Sequence, residues 1–396
     1  MNHHGVIIYH SFNDPIFKGL MLTYLKAFQL QDGERSHTFH LITFEQEQYR
    51  VSKSEQLAID VELKKIRIVW YPQQYHTGGA FLILKKLWDF FLCFKSSLRI
   101  HKVNKLKSLI GFTSLSGGLA LVLSGLLRVK FIALNIEPHS DFMVDAGQWK
   151  KQGVKYKLLK FLENRIMIKA DHVAVPSKSG FSFWNDKKRS GRLYFVPTCI
   201  DINDFSIGKN SKTVVRADLG LPTAKRIVLY LGKFGGIYYS PNEAANIFEK
   251  LLASNNDLFF YVITPGNLEE VKNSFEDYGL KDQYLIRDKI PYEQLSRHIA
   301  LSDFGIVLIP PYPSQRYRCP IKTANYLACG IPYIVPPNIG DDSFLAVEEQ
   351  VGVVITESNM TISMVPRSGE YYRSIAEKYR GINISVDFFK TVLSKI

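Results

Sequence analysis

Residues 304–335 read FGIVLIPPYPSQRYRCPIKTANYLACGIPYIV. The β-rich run 304–309 predicts a strand, and the prolines that follow it predict a stiff loop. Pro320 suits the first turn of a helix over residues 321–327, which Gly330 ends before the next strand at 332–335. A strand, a helix and a second strand in this order predict a βαβ unit whose strands are parallel.

The same alternation of strands and helices extends over the whole chain. In the first half, strands are predicted at 5–10, 38–43, 67–70, 108–112, 130–135, 172–176 and 193–196, with helices such as 17–29 and 156–168 between them. In the second half they are predicted at 227–231, 258–263, 284–286, 304–309, 332–335 and 351–355, with helices at 241–253, 268–278, 292–300, 321–327, 371–378 and 386–394. The pattern indicates α/β architecture with two Rossmann-like, doubly wound parallel sheets that face a cleft.

The alternation pauses at residues 196–206, VPTCIDINDFS, which are polar and rich in turn formers. We therefore predict an amino-terminal domain over residues 1–204 and a carboxyl-terminal domain over residues 205–370. Residues 371–396 form carboxyl-terminal helices that are expected to pack back on the first domain. A chain of 396 residues suits two domains of about 200 residues each.

The chain is basic, with 50 Lys and Arg against 37 Asp and Glu. Such a surplus is typical of an anionic partner, such as nucleic acid, a phosphate-bearing ligand or an acidic bilayer, and equally of a solubilising surface. The four cysteines are scattered without metal-ligand spacing, and the first residues do not read as a signal peptide. We therefore expect a cytoplasmic protein without structural zinc.

Residues 110–127, IGFTSLSGGLALVLSGLL, form a stretch of 18 residues without a charge. Its length makes it a candidate for a transmembrane helix. Its glycines and hydroxyl side chains fit a strand, a tight turn and a buried helix better, and we prefer that interpretation.

Two loops in the second half carry groups that bind anions. The segment after the strand at 227–231 supplies Lys233, Gly235 and Gly236, whose glycines allow close approach of the backbone to a diphosphate. The segment after the strand at 304–309 supplies Arg316, Arg318 and Lys322 at the start of a helix. Cations that meet at a helix N-terminus are expected to hold a pyrophosphate without a metal ion, although an ordinary turn and a solvated basic face remain the alternatives.

In the first half, Glu137, His139 and Asp141 follow the strand at 130–135 within five residues. Glu137 or Asp141 is suited to deprotonate an acceptor hydroxyl, while a helix-capping loop is the alternative interpretation. Asp14, in the loop after the first strand, is a candidate for the acceptor side, and it also suits a helix N-cap. No acidic cluster has the spacing of a site for a divalent cation on a nucleotide diphosphate.

These segments together resemble those of GT-B glycosyltransferases. Residues 322–332 resemble their Lys-before-helix segment with its A-x-G-x-P turn, and residues 196–205 resemble the hinge of family-4-like (group 1) members. The two glutamates that this family carries eight positions apart are replaced by Tyr317 and Asn325, of which Asn325 still has hydrogen-bonding groups for a hydroxyl. A more distant likeness is to bacterial exopolysaccharide glucuronosyltransferases, which also lack that pair.

The resemblance implies a metal-independent glycosyltransferase of the hexosyltransferase type that needs no cofactor beyond its nucleotide-diphosphate sugar. It implies that Lys233, Gly235, Gly236, Arg316, Arg318, Lys322 and Asn325 bind the donor, and that His139 holds the donor sugar if the enzyme is retaining. The acceptor would be a saccharide, lipid-linked in bacterial surface polysaccharide synthesis. The alternatives are a sugar-nucleotide 2-epimerase on the same fold and a non-catalytic basic scaffold that binds membranes or nucleic acid.

Two segments concentrate the positive charge, residues 84–107 and 149–169. Each mixes seven cations and one acidic residue with Leu, Phe, Trp or Tyr at roughly helical spacing. This pattern is typical of a helix on an anionic membrane surface, and equally of an amphipathic helix that packs on the sheet with a basic outer face. We expect a peripheral position on the inner face of the cell membrane and no nucleic-acid partner.

Overall fold

The computed structural model describes residues 1–33, 36–76, 81–186, 192–205 and 212–396. They form two lobes, each built around a parallel sheet. The amino lobe has seven strands in the order β3-β2-β1-β4-β5-β6-β7. They are β1 (Asn2–Ile8), β2 (His37–Glu45), β3 (Ile68–Gln74), β4 (Ser108–Phe112), β5 (Lys130–Leu134), β6 (His172–Val175) and β7 (Leu193–Phe195).

The carboxyl lobe has six parallel strands in the order β10-β9-β8-β11-β12-β13. They are β8 (Arg226–Leu231), β9 (Leu258–Ile263), β10 (Tyr284–Arg287), β11 (Phe304–Ile306), β12 (Tyr333–Val335) and β13 (Gly352–Val354). Both sheets are doubly wound, so their strand order reverses once, between β1 and β4 and between β8 and β11. The loops that leave these central strands diverge there and open a crevice at the carboxyl ends of the strands.

Helices cover both faces of each sheet. In the amino lobe they are α1 (Thr23–Gln31), α2 (Lys53–Lys65), α3 (Leu82–Asn104), α4 (Thr113–Leu127), α5 (His139–Asp145), α6 (Val154–Lys169) and α7 (Lys178–Asn185). In the rest of the chain they are α8 (Lys212–Asp218), α9 (Pro241–Ser254), α10 (Leu268–Asp277), α11 (Tyr292–Ala300), α12 (Ile321–Ala328), α13 (Asp342–Glu348), α14 (Gly369–Arg380) and α15 (Ile382–Leu393). A π-helical segment, Phe17–Leu22, leads into α1.

The uncharged stretch at residues 110–127 divides between β4 and α4. Thr113 makes the turn between them at a φ of 70°. The helix returns close to its strand, since a Cβ on Gly111 would lie 2.6 Å from the Cα of Gly117. In the described part of the chain, no helix combines the length and apolar character that crossing a bilayer requires.

The chain passes between the lobes twice. The first passage runs from Val196 to Phe205, and the second lies at Gly381, where α14 ends and α15 begins. The two passages pair side by side, because the Ile200 N–H donates to the Arg380 carbonyl at 2.8 Å. Helix α14 packs on the carboxyl lobe and α15 on α1 of the amino lobe, so the last helices divide between the lobes.

Arginines of α14 hold this double connection together. Arg373 donates to the carbonyls of Ile202 and Phe205 at 2.7 and 2.6 Å. The buried Arg380 donates to Pro320 O at 2.6 Å and lies 3.4 Å from Asp342. Movement of one lobe against the other would therefore bend a segment that α14 fixes at its carboxyl-lobe end.

Candidate functional site

The reversal of strand order in the carboxyl lobe brings two predicted anion-binding segments together. The glycine-rich loop follows β8, and the segment with Arg318 and Lys322 follows its neighbour β11. Gly232, in the glycine-rich loop, has a φ of 147°, and the Lys322 ammonium occupies the space that a Cβ would need there. The sequence pattern alone indicates no role for Gly232.

Lys322 lies in the first turn of α12. Its side chain is half-buried as a whole, and its ammonium end reaches inward to the backbone at Gly232. Its Nζ lies 5.2 Å from the centre of the Tyr230 ring and 5.6 Å from that of Tyr238. Burial lowers the pKa of Lys322 to about 8, and the nearby Arg318 charge contributes in the same direction. Among the residues that the structure describes, Lys322 forms no ion pair with a carboxylate. A buried ammonium without a counter-ion is costly, so this position suits an anionic ligand.

The N-terminus of α12 adds backbone donors to the same place. Pro320 stands at its N-cap, where it supplies no side-chain hydrogen bond, and the first turn contains no acidic residue. The free amides and the positive end of the helix dipole therefore face the crevice without a carboxylate to neutralise them.

Arg318 extends from the carboxyl lobe to the amino lobe. The centre of its guanidinium lies 4.6 Å from the ring of Phe142 on α5 and 5.3 Å from the ring of Tyr238. Its Nε is buried and has no hydrogen-bond partner among the described residues. Arg318 thus lies between the lobes with donor capacity that the protein itself does not use.

Glu137 and His139 face Arg318 from the amino lobe. Burial raises the pKa of Glu137, and the Arg318 charge and a hydrogen bond from the Cys319 backbone oppose that rise. Burial lowers the pKa of His139, and the Arg318 charge lowers it further. The cleft therefore holds the half-buried carboxyl group of Glu137, whose pKa is raised, and the exposed imidazole of His139, whose pKa is lowered, next to Arg318.

Asp141, the third member of the predicted amino-lobe cluster, is turned towards α6. Its carboxylate lies 2.5 Å from Lys160 Nζ and accepts from Tyr156 OH at 3.2 Å. The neighbouring Ser140 donates its N–H and its hydroxyl to the buried Glu163 at 2.9 and 2.5 Å. Asp141 is thus engaged in holding α5 to α6, and the structure does not bring it together with Arg318.

Two of the predicted donor cations, Lys233 and Arg316, are exposed. Lys233 is exposed, and its carbonyl accepts from Tyr230 OH at 2.8 Å. Arg316 is exposed and donates to Tyr317 OH at 2.8 Å, with its guanidinium over the same ring. Arg318 and Lys322, in contrast, both lie over the ring of Tyr238.

The predicted loop glycines leave room beside the crevice. Gly235 and Gly236 have φ values of 80° and 68°, and no atom lies within 4 Å of a Cβ built on either. The Gly236 carbonyl accepts from Gln148 of the amino lobe at 3.3 Å. This loop therefore contacts the opposite lobe while its backbone remains accessible.

Several buried polar groups around α12 have no hydrogen-bond partner among the described residues. They include Asn325 Oδ1, which the sequence had indicated, and both polar atoms of the Gln315 side chain, which it had not. Buried polar atoms are usually paired, so such a concentration favours a polar ligand at this place. Nothing in the sequence distinguishes Gln315, because its burial depends on the fold of the loop.

The predicted acceptor-side residue Asp14 is buried in the loop after β1. It accepts from the Ile16 N–H at 2.8 Å, and its other oxygen lies 3.1 Å from His10 Nδ1. The pair lies at the carboxyl edge of the amino-lobe sheet.

A polar groove of about 810 Å³ lies beyond the ends of β2 and β3. Glu45, Arg50, Gln73 and Gln74 are among its lining residues. Glu45 also accepts from the Phe12 N–H at 3.2 Å, which ties the groove to the loop after β1. Its amides, carboxylates and guanidinium group suit a ligand with many hydroxyls. Sequence reasoning missed these residues because they lie at strand ends without a motif.

The described residues contain no group of three or more His, Cys, Asp or Glu side chains placed to hold a metal ion.

No protein-family model matches the sequence, and no curated protein matches it significantly. Solved structures do match the fold. Sucrose-phosphate synthase from Thermosynechococcus elongatus is 15% identical with a TM-score of 0.73, and the match covers 100% of this chain and 99% of that one. HepE from Anabaena, in complex with UDP-glucose, is 13% identical with a TM-score of 0.66 over 100% of both chains. WaaG, described as a glycosyltransferase involved in lipopolysaccharide biosynthesis, is 12% identical with a TM-score of 0.57 over 98% of this chain and 93% of that one.

The sequence-based prediction of the fold is confirmed: the chain has two Rossmann-like lobes in the GT-B arrangement.

Proposed function

We propose that the protein is a glycosyltransferase that moves a sugar from a nucleotide-diphosphate donor to a saccharide acceptor. The observation that carries this proposal is the buried Lys322 ammonium, which has no described carboxylate partner and lies at the uncapped start of α12. An anion of high charge at this point would satisfy the ammonium, the α12 amides and Arg318 together.

The donor proposal gains support from the solved structures of similar fold. HepE was crystallised with UDP and with UDP-glucose, and MnaA from S. aureus was crystallised with UDP. We propose that Lys322 and Arg318 stabilise the leaving diphosphate in place of a metal ion. The loop at Gly235 and Gly236 would approach the same phosphates through its backbone, and a hexose is the sugar that we expect to move.

The proposed reaction breaks the bond between the anomeric carbon and the diphosphate oxygen, which leaves with the electron pair. A bond forms between the anomeric carbon and an acceptor hydroxyl oxygen. The hydroxyl proton passes to Glu137, whose raised pKa makes it a better proton acceptor than an exposed carboxylate. His139 would contact the donor sugar, and Asp141 would position α5 through Lys160.

The acceptor is proposed to occupy the polar groove beyond β2 and β3, next to the loop that carries Asp14. We further propose that this saccharide is lipid-linked, as in the synthesis of bacterial surface polysaccharides, and that the protein works at the inner face of the cell membrane. The basic helices α3 and α6 support this location, and the description of WaaG supports the pathway.

A binding screen tests the donor proposal directly. Purified protein would be heated with UDP, GDP, dTDP or CMP, and a ligand that binds the folded state raises the melting temperature. We expect one nucleotide diphosphate to raise it for the wild type and not for Lys322→Met. Absence of a shift with every nucleotide would favour a scaffold that has kept the fold.

Product analysis separates a transferase from a sugar-nucleotide 2-epimerase. The protein would be incubated with the nucleotide sugar that the screen identifies, with and without saccharide acceptors. Nucleotide release that depends on an acceptor supports transfer. Conversion of the donor into an isomeric nucleotide sugar without an acceptor would contradict it.

A further inference from the structure

One side of the amino lobe concentrates exposed hydrophobic side chains. They lie on α3, α4 and α6, which pack side by side on the same face of the sheet. The exposed residues are Leu84, Leu87, Trp88, Phe91 and Val103 on α3, Leu115, Val122 and Leu126 on α4, and Val154, Leu158, Phe161 and Ile168 on α6. We call this surface the α3–α4–α6 face. A cluster of this kind on one side of a protein marks a contact surface.

The cations of the α3–α4–α6 face point outward while its acidic residues turn inward. Asp89 on α3 is fully buried, where it accepts from Tyr9 OH at 2.7 Å. Glu163 on α6 is buried against Ser140. The exposed Lys95, Arg99 and Lys102 on α3 and Lys155, Lys157, Arg165 and Lys169 on α6 therefore dominate the charge of the face.

A groove of about 630 Å³ lies on this face between the carboxyl-terminal halves of α4 and α6. Its wall is largely apolar, with Phe161 and Leu162 among the lining residues, and Gly125 leaves it open because no atom lies within 4 Å of a Cβ built there.

Three cations border the groove, Arg128, Arg165 and Lys169. Among the described residues, none of the three forms an ion pair with an acidic side chain. The single acidic lining residue, Asp171, is paired with Lys130 at 2.9 Å. An apolar groove bordered by unpaired cations is complementary to an amphiphile with an anionic head.

We propose that the α3–α4–α6 face binds the surface of a bilayer that contains anionic phospholipid, with Arg128, Arg165 and Lys169 at the groove holding a lipid phosphate. A second copy of the chain is a poorer occupant, because two such faces would bring like charges together. The apolar side chains enter the boundary between headgroups and acyl chains, and the surrounding lysines contact the headgroups.

This surface is continuous with the candidate active site. Helix α4 begins directly after β4, and Ser114 in its first turn donates to the Glu137 carbonyl at 3.2 Å. The groove lies at the other end of α4, so the α3–α4–α6 face extends from the cleft to the opposite edge of the sheet. The phospholipid contact needs neither donor nor acceptor, so it does not rest on the proposed transferase activity.

Vesicle flotation of the full-length protein tests the proposal. Vesicles that mix phosphatidylglycerol with phosphatidylcholine are expected to carry the protein, and vesicles of phosphatidylcholine alone are not. The triple variant R128E/R165E/K169E should bind the anionic vesicles at least about tenfold more weakly than the wild type, because each cation near the membrane surface contributes to binding. The control K272E/K281E/K289E reverses three exposed lysines of the carboxyl lobe and should bind within about twofold of the wild type.

A second pair of variants tests the apolar part of the face. Leu158 on α6 and Leu57 on α2 are 67% and 69% exposed. Leu158→Asp should lose vesicle binding and Leu57→Asp should keep it. Equal loss in both charge-reversal triples, or unchanged binding by R128E/R165E/K169E, would overturn the proposal. The proposal would also be overturned if the wild type formed a dimer that R128E/R165E/K169E abolishes, while none of the variants changed vesicle binding.

The nucleotide melting shift separates this proposal from the proposed function. Variants of the α3–α4–α6 face should keep the shift of the wild type. If the protein bound anionic vesicles but no nucleotide, the membrane-surface proposal would stand and the proposed transferase function would be wrong.

Discussion

The ammonium group of Lys322 fills the space beside Gly232 that any larger residue would need for its Cβ. The two residues belong to loops after neighbouring strands, β8 and β11, and are 90 positions apart in the sequence. Their contact fixes the ammonium at the start of α12, where the free amides of the helix point the same way. Glycine at 232 is therefore part of the anion site, although it carries no side chain.

Replacement of Gly232 by alanine should weaken nucleotide-diphosphate binding by about tenfold or more. The methyl group displaces the ammonium, and the φ of 147° is unfavourable for any residue with a Cβ. Isothermal titration calorimetry would measure the dissociation constant. Gly279→Ala is the matched control, because Gly279 also has a positive φ but no atom lies within 4 Å of its Cβ position. Equal weakening in both variants would mean that backbone strain, and not Lys322, is responsible.

Lys322→Met should stabilise the ligand-free protein and strongly weaken donor binding. Methionine keeps the apolar part of the chain and removes a buried charge that has no described counter-ion, so the melting temperature should rise at neutral pH. Binding should weaken about 30-fold or more, because charge-assisted hydrogen bonds to a phosphate are lost. Thermal melting with and without nucleotide measures both effects. A variant that melts lower and still binds would make Lys322 a structural residue.

Donor affinity of the wild type should fall as the pH rises above about 8. The pKa of Lys322 is lowered from 10.5 to about 8, so the free protein loses this ammonium above that value. Binding then requires uptake of a proton, and the loss of affinity approaches about tenfold per pH unit. Titrations between about pH 7 and pH 9 would record it, and Lys322→Met should show no such slope. A flat profile in the wild type would contradict the assignment.

Glu137→Gln should lower kcat by about 100-fold or more while donor affinity stays close to that of the wild type. Glutamine keeps the shape of the side chain but accepts no proton from the acceptor hydroxyl. The rate of the wild type should fall on acidification at a pH above 4.5, the usual pKa of a glutamate, because burial raises the pKa of Glu137. Asp141→Asn is the comparison, and a smaller loss is expected since Asp141 is paired with Lys160. A larger loss of kcat in Asp141→Asn than in Glu137→Gln would make Asp141 the proton acceptor and Glu137 the positioning residue.

The alternation of strands and helices was enough to predict the fold. Strand 258–263 and helix 292–300 have the predicted bounds, because turn residues and periodicity mark them clearly. The strand predicted at 304–309 ends at Ile306 instead. Residues 307–309 stay buried, but their neighbour β12 ends at Val335, before two prolines that have no N–H to donate. The hydrogen-bonded strand therefore ends before the buried segment does. The sequence pattern reflects only which residues are buried, so it predicts a strand that is too long.

The candidate site was less accessible to sequence reasoning. Lys322 and Arg318 could be predicted because they surround a recognisable helix start. Whether Arg316 or Asp141 joins them depends on side-chain direction, and the structure turns Arg316 onto Tyr317 and Asp141 onto Lys160. Gly232 and Gln315 required the tertiary structure, because a close contact and an unpaired buried amide leave no trace in a single sequence.

Acid should destabilise the amino lobe through a cluster of four histidines on β1 and β2. His4 Nε2 lies 2.9 Å from His37 Nδ1, and His3 Nδ1 lies 3.0 Å from His40 Nε2. Burial is the largest cause that lowers the pKa of His4 from 6.5 to about 3 and that of His40 to about 4. The unfolded chain binds protons at the ordinary value, so it takes up more protons than the folded protein below about pH 6.5.

The stability that these neutral histidines contribute is therefore fully present above pH 6.5 and is lost as the pH falls towards the folded values near 4 and 3. Urea unfolding at a series of pH values should show the midpoint falling below about pH 6.5, and His4→Asn/His40→Asn should show a smaller fall over the same range. His101→Asn serves as the control, since His101 lies outside the cluster at the end of α3, and its profile should follow that of the wild type. If the double variant lost as much stability on acidification as the wild type, the acid sensitivity would arise from other groups, and the buried histidine pairs would be only packing contacts.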